Sequence, residues 1–99
     1  MSSKKIESTK APEPVGLYPH ARQHGNLLFL SGVGPRERGT KKIPGVELDD
    51  NGNIESYDIA TQCRSVFNNV KTIVEESGSS WDKVIDVTVF LTNMKDDFK

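Results

Sequence analysis

The chain has 99 residues, 34% of them apolar, and a formal net charge of −1, which suits one small domain. A nearly balanced charge gives no large field of one sign, so neither nucleic acid nor an anionic membrane is an expected partner. No apolar run approaches the roughly 20 residues of a transmembrane helix, and the start lacks the apolar core of a secretory signal. The single cysteine excludes an internal disulfide. We therefore expect a cytoplasmic protein.

The first fourteen residues are rich in Lys, Glu, Ser and Pro and contain one large aliphatic side chain, Ile6. Such a segment buries too little apolar surface to offset the entropy lost on ordering. It is predicted to be a disordered tail, with the folded domain occupying residues 15–99.

The next segment has the pattern of a β-hairpin. Polar residues 20–24 precede the turn pair Gly25-Asn26, and the apolar run 27–30 follows. Residues 31–52 contain glycines, prolines and the turn sequence Asp49-Asp-Asn-Gly52, so they are predicted to form a long connection with turns.

Residues 58–77 are predicted to form a helix, because their apolar side chains fall on one face of a 3.6-residue period. Those side chains are Ile59, Cys63, Val66, Phe67, Val70, Ile73 and Val74. Asp58 can accept a backbone N–H at its start, and Gly78 suits the left-handed position after its end.

Residues 85–91 alternate in the two-residue period of a strand, and a second helix is predicted to start near Asn93. The fold class is therefore α+β, with the helix lying across a sheet made from the Leu27 and Val87 segments. A helix of one turn cannot offset its nucleation cost alone. The domain is thus expected to be incomplete at its C-terminal end, or covered there by a partner subunit.

Four chemical motifs have simple structural interpretations. His20 and His24 on a strand lie roughly 13 Å apart, too far to share one metal ion. Residues 32–39 are glycine-rich but do not fit a phosphate-binding loop, since Pro35 removes an N–H donor. Cys63 on the apolar helix face is interpreted as a small hydrophobic residue, and Trp81 as a packing residue.

The candidate site is a set of polar residues at the ends of predicted elements, where rigid scaffolds commonly present functional groups. It comprises Tyr18, His20, Ser31, Gly32, Arg36 and Asn93. Arg36 or Arg38 can grip a carboxylate, Ser31 and the Gly32 amide can hold a polar group, and His20 can transfer protons. The alternative, that these are ordinary turn and surface residues, stays open.

Three stretches resemble the RidA/YjgF family. Residues 25–32 read GNLLFLSG, residues 62–78 follow the family pattern Q-t-r-x-x-x-x-N-v-x-x-i-l-x-x-a-G, and residues 81–98 resemble its segment ending in v-t-v-f-l-x-d-m-x-d-f. Within the family, residues 16–20 and 31–36 are most similar to the 2-aminomuconate deaminases.

The resemblance implies a chorismate-mutase-like α+β fold and a homotrimer with ligand clefts between subunits. It implies hydrolysis of a carboxylate-bearing enamine or imine to a carbonyl and ammonia, with no metal or organic cofactor. It also implies that Tyr18, His20, Ser31, Gly32 and Asn93 border the cleft, while Arg36 as carboxylate contact is our own inference.

The family's carboxylate-binding arginine and an acidic residue follow the second helix, and this sequence ends before either. A fixed cation is often the largest catalytic contribution, so the 99-residue chain is expected to be almost inactive. The alternatives are a non-catalytic small-molecule-binding module of the same fold, or an inactive fragment.

Overall fold

The computed structural model describes residues 3–40 and 42–98. Within them, β-strands form two antiparallel sheets and one long helix packs beside them, so the predicted α+β class is confirmed. The elements are β1 Ser3–Ile6, β2 Ala21–His24, β3 Leu27–Leu30, β4 Val46–Leu48, β5 Ile54–Tyr57, α1 Ile59–Glu76, a 3-10 turn Trp81–Lys83 and α2 Met94–Asp97.

The predicted hairpin is confirmed as β2 and β3. Ala21 pairs with Leu30 and His24 with Leu27, which leaves Gly25-Asn26 as a two-residue turn. Gly25 has a φ of 62°, a left-handed conformation that glycine adopts without steric cost. The turn chemistry visible in the sequence therefore sets the register of this hairpin.

The prediction of a disordered tail over residues 1–14 is wrong for the residues that the structure describes. β1 pairs antiparallel with β2, with Ile6 opposite Ala21, and Ile6, Ser8 and Ala11 are buried. Strand pairing uses backbone groups, so a polar segment can complete the open edge of β2 when one aliphatic side chain reaches the core. Composition alone hides that possibility, and the ordered region begins well before residue 15.

A second hairpin, β4 and β5, lies in and after the predicted long connection and was not anticipated. Its turn is held by the Asp49 carboxylate, which accepts the backbone N–H groups of Asn51 and Asn53 at 2.9 Å each. Gly45, just before β4, has a φ of 83°, and a Cβ there would lie 2.9 Å from the Asp58 carbonyl oxygen and 2.9 Å from Thr61 Cβ. Glycine at this position lets the second hairpin approach the start of α1.

Both predicted ends of α1 are confirmed. The Asp58 side chain accepts the Ala60 N–H at the helix start. At the other end Gly78 N–H donates to the Glu75 carbonyl and Ser79 N–H to the Val74 carbonyl, both at 3.0 Å, with Gly78 at a φ of 85°. This pair of bonds is the Schellman arrangement, which satisfies the last free carbonyls of a helix.

The core lies between sheet β1-β2-β3 and α1. Ile73 is 2% exposed and packs with Ile6, Ala11 and Ala21, while Leu28, Leu30 and Val33 surround this cluster. The prediction that the helix covers the Leu27 segment is therefore correct.

The prediction that residues 85–91 form a strand of the same sheet is wrong for this structure. No ladder joins them to any described strand, and Ile85 and Phe90 are 85% and 91% exposed. A strand needs a neighbour to satisfy its backbone groups, and no described strand lies beside this segment. The nearby Trp81 ring packs edge-on against Phe67 at 6.0 Å, and α2 begins after Asn93 as expected. Over residues 3–40 and 42–98, no helix is long and apolar enough to cross a membrane.

Candidate functional site

A small pocket of about 70 Å³ lies where the end of β3 meets α1. The end of β3 and α1 form two of its walls. The third wall comes from residues 8–14, the segment after β1, which we call the N-terminal strap. The lining residues are Ala11, Pro12, Glu13, Pro14, Val15, Tyr18, His20, Ser31, Gly32, Val33, Arg36 and Ile73. The volume is enough for a few water molecules or a compact small molecule.

Five of the six residues chosen from the sequence line this pocket. Asn93, the sixth, does not. Its side chain caps α2 by accepting the Asp96 N–H at 3.2 Å, and it donates to the Tyr57 hydroxyl at 3.5 Å. The structure therefore does not bring Asn93 to the pocket of its own chain.

Three polar groups at the pocket are open to a ligand. The Ser31 hydroxyl donates to the Pro19 carbonyl at 2.8 Å, so its remaining capacity is to accept. No residue within 3–40 or 42–98 accepts from the Gly32 N–H or bonds the Tyr18 hydroxyl. Among the described residues, no atom would lie within 4 Å of a Cβ at Gly32. A ligand can thus meet one acceptor and two donors in this small space.

His20 is held in a single tautomer by the backbone of the strap. Its Nδ1 accepts the Ser8 N–H at 2.8 Å, and its Nε2 lies 2.8 Å from the Pro12 carbonyl, to which it must donate. The ring is buried, and the Glu7 carboxylate is 3.9 Å from Nδ1, beyond hydrogen-bonding distance. Both ring nitrogens are thus engaged by the strap backbone, and a proton-transfer role for His20 stays a prediction.

Arg36 lines the pocket but is already bonded. Its guanidinium donates to the carbonyls of Glu13 and Thr40 and lies 3.9 Å from the Glu13 carboxylate. Arg38 approaches the same carboxylate at 3.4 Å. Hydrogen bonds from the backbone N–H groups of Glu13 and Gly39, aided by both arginines, lower the pKa of Glu13. The pocket lining thus contains one arginine, Arg36, and one carboxylate, Glu13, while Arg38 contacts that carboxylate from outside the lining.

The loop that carries Arg36 is fixed by a polar edge of α1 that the sequence interpretation did not identify. The Asn69 carboxamide donates to the carbonyls of Gly34 at 2.9 Å and Arg36 at 3.1 Å. The Ser65 hydroxyl donates to the Pro35 carbonyl at 2.6 Å. Asparagine is a poor helix former, and its side chain prefers to bond backbone groups. Its place in mid-helix was the available signal for such a role.

Comparisons with known proteins agree with this fold. The family model described as Endoribonuclease L-PSP matches residues 8–99. A RutC family protein of Pyrococcus horikoshii is 38% identical over 91 residues, 92% of this chain and 64% of its own length. A 2-iminobutanoate/2-iminopropanoate deaminase of Dermatophagoides farinae is 35% identical over 98 residues, 97% of this chain and 67% of its own.

Among solved structures, a conserved Rid family protein of unknown function from Yersinia pestis superposes with a TM-score of 0.64 at 26% identity. That match covers 85% of this chain and 58% of the other. The chain belongs to the Endoribonuclease L-PSP family, in which the RidA/YjgF proteins are grouped, as its motifs predicted. It spans about two thirds of the length of the curated relatives it matches.

Proposed function

We propose that the chain is part of an enamine or imine deaminase, which adds water across a C=N bond and releases a carbonyl compound and ammonia. The observation that carries the proposal is the meeting of Tyr18, Ser31 and Gly32 beside the cationic Arg36 in one pocket. The deaminase name of the Dermatophagoides farinae relative supports the same chemistry. Donors beside a cation suit a carboxylate, and donors also stabilise the oxygen charge that develops when water attacks carbon.

The pocket size favours a small substrate. A volume of about 70 Å³ suits an imino acid of few atoms such as 2-iminopropanoate, whereas drug-sized ligands occupy several hundred Å³. The sequence motifs of residues 16–20 and 31–36 favour 2-aminomuconate instead. The proposal therefore names the substrate class, a carboxylate-bearing imine or enamine, and keeps both compounds as test substrates.

The second candidate function is a non-catalytic binding module. It is favoured because the titratable side chains at the pocket already have hydrogen-bonding or ionic partners. The nitrogens of His20 are both bonded to backbone, and the Glu13 carboxylate faces two arginines. Neither is free to act as a general base for water. For the 99-residue chain alone, binding without turnover is therefore the expected behaviour.

The family description also contains the word endoribonuclease. RNA binding depends on neutralising many phosphates with basic side chains. The net charge of −1 supplies no such excess, so a small carboxylate is the better match. We include in the proposal a homotrimer, in keeping with the many exposed apolar side chains, working in the cytoplasm.

The test combines binding with turnover on the purified chain. Ammonia release is measured from 2-iminopropanoate and from 2-aminomuconate, and pyruvate binding is followed by NMR at the Gly32 amide. Ammonia release above the uncatalysed rate supports the deaminase. Pyruvate binding without release supports the binding module, and neither signal contradicts both proposals. Cleavage of a single-stranded RNA under the same conditions would favour the nuclease instead.

A pair of tyrosine variants tests whether the pocket is the site. Tyr18→Phe removes a hydroxyl at the pocket, so pyruvate binding should weaken about two- to tenfold, the effect of one neutral hydrogen bond. Tyr57→Phe is the matched control, because its hydroxyl bonds Asp97 away from the pocket. If the two substitutions weaken pyruvate binding equally, the ligand does not bind in this pocket.

A further inference from the structure

One wall of the pocket is anchored by a residue that does not line it. The strap supplies Ala11, Pro12, Glu13 and Pro14 to the lining. Its first three residues, Ser8, Thr9 and Lys10, turn instead toward the C-terminal end of α1. There they converge on the side chain of Glu76.

The Glu76 carboxylate accepts four hydrogen bonds from these three residues. Its Oε1 accepts the Ser8 hydroxyl at 2.8 Å and the Lys10 N–H at 3.1 Å, and its Oε2 accepts the Thr9 N–H at 2.9 Å and the Thr9 hydroxyl at 3.3 Å. The Thr9 N–H contributes most to lowering the pKa of Glu76, aided by the Ser8 hydroxyl and the Lys10 N–H. Bonds to an ionised acceptor are about twice as strong as neutral ones.

Ser8 transmits this anchoring to the pocket wall. While its hydroxyl donates to Glu76, the same oxygen accepts the Ala11 N–H at 2.9 Å, and Ala11 is the first lining residue of the strap. The Ser8 N–H meanwhile donates to His20 Nδ1, whose ring holds Pro12. A chain of hydrogen bonds therefore runs from Glu76 to the wall through one serine.

We propose that Glu76 is a positioning residue for the pocket: by holding residues 8–10 it sets the place of the wall formed by residues 11–14, and with it the affinity for a small carboxylate. The choice of ligand rests on the proposed function, whereas the position of the wall does not. Glu76→Gln removes the charge and one acceptor oxygen, and it brings an amide NH₂ group against the strap donors. The wall should then lose its anchor while α1 keeps its length.

Glu75→Gln is the matched control. It makes the same change in charge one residue earlier on the same helix, and the Glu75 side chain has no hydrogen bond or ion pair within residues 3–40 and 42–98. Ser8→Ala attacks the same contact from the strap and leaves the helix untouched. Together, Glu76→Gln and Ser8→Ala distinguish the loss of this one contact from a general loss of folding.

The first measurement is amide hydrogen exchange by NMR. Glu76→Gln should reduce protection at Thr9 and Lys10 about tenfold or more, and it should shift the amide signals of Glu13 and Val15, while the amides of β2 and α1 keep their protection. Ser8→Ala should have the same pattern at Ala11, and Glu75→Gln should change neither region. Unchanged strap amides in Glu76→Gln, or equal effects of both glutamate variants, would overturn the proposal.

The second measurement is pyruvate titration followed at the Gly32 amide. Glu76→Gln should weaken binding about threefold or more, and Ser8→Ala should add little to it in the double variant, because both break the same chain of contacts. If the strap amides lose protection but the pyruvate affinity is unchanged, the position of the wall does not set the affinity and that part of the proposal is wrong. If the wild-type chain neither binds pyruvate nor releases ammonia, the proposed function fails, and the Glu13 and Val15 signals alone decide the position of the wall.

Discussion

Two apolar segments of this chain have similar strand patterns and different structures. β3, Leu27–Leu30, pairs with β2 along its whole length and places Leu28 and Leu30 against Ile73. Residues 85–91 have the cleaner two-residue alternation but form no ladder, and Ile85 is 85% exposed. A two-residue alternation indicates which side chains a strand would place on each face, whereas the strand forms only where another backbone is available to pair with it.

The same difference separates the candidate residues that reach the pocket from the one that does not. The paired segment ends at Ser31 and Gly32, and these residues reach the pocket because β3 is fixed on the core. The unpaired segment leads to Asn93, which bonds Tyr57 and Asp96 instead. Pocket formation and sheet formation are therefore linked in this chain.

The largest expected effect compares the two segments directly. Ile73→Ala leaves a cavity at the centre of the core and should lower the free energy of unfolding by about 2–5 kcal/mol, measured by urea denaturation. Ile85→Ala, in the unpaired segment, should change it by no more than about 0.5 kcal/mol. Similar losses would show that residues 85–91 are packed against another surface in solution, and the contrast drawn above would be wrong.

The next effect sharpens the comparison within α1. Asn69→Ala removes two hydrogen bonds to the Gly34–Arg36 loop and should cost about 1–2 kcal/mol in the free energy of unfolding. Asn68→Ala is the control, because its exposed side chain makes no hydrogen bond within the described part of the chain. Both variants gain the same helix propensity, so the difference between them isolates the loop contact. If the two variants have the same free energy of unfolding, Asn69 does not hold the loop.

The smallest effect concerns the start of α1 and depends on pH. The Thr61 hydroxyl bonds the Asp58 carboxylate and is the main cause of the lowered pKa of Asp58. A lowered pKa in the folded state stabilises the protein above the ordinary aspartate pKa, and that contribution is lost as the pH falls through the lowered value. Asp58→Asn keeps a capping oxygen but does not titrate.

The melting temperature should therefore fall less between about pH 6 and about pH 3 in Asp58→Asn than in the wild-type chain. If the melting temperature of Asp58→Asn has the same pH dependence as that of the wild-type chain, Asp58 is not a source of acid sensitivity.

Tyr18, Ser31, Gly32 and Arg36 could be chosen from the sequence, because they stand at strand ends and turns, where side chains and free amides face solvent. Glu13, Ile73 and the rest of the strap could not. They enter the pocket through contacts with residues far away in the chain, such as Ser8 with Glu76 across 68 positions. Asn93 does not line the pocket of its own chain, and its place at a cleft between subunits stays a prediction.

Turn and cap chemistry acts between residues a few positions apart, so the β2–β3 hairpin, the extent of α1 and both of its caps could be predicted from the sequence. The fold was needed to show that a polar N-terminal segment becomes β1 and then a pocket wall, and that residues 85–91 pair with no described strand. Backbone groups accept any partner of suitable geometry, so pairing depends on which segments meet in space.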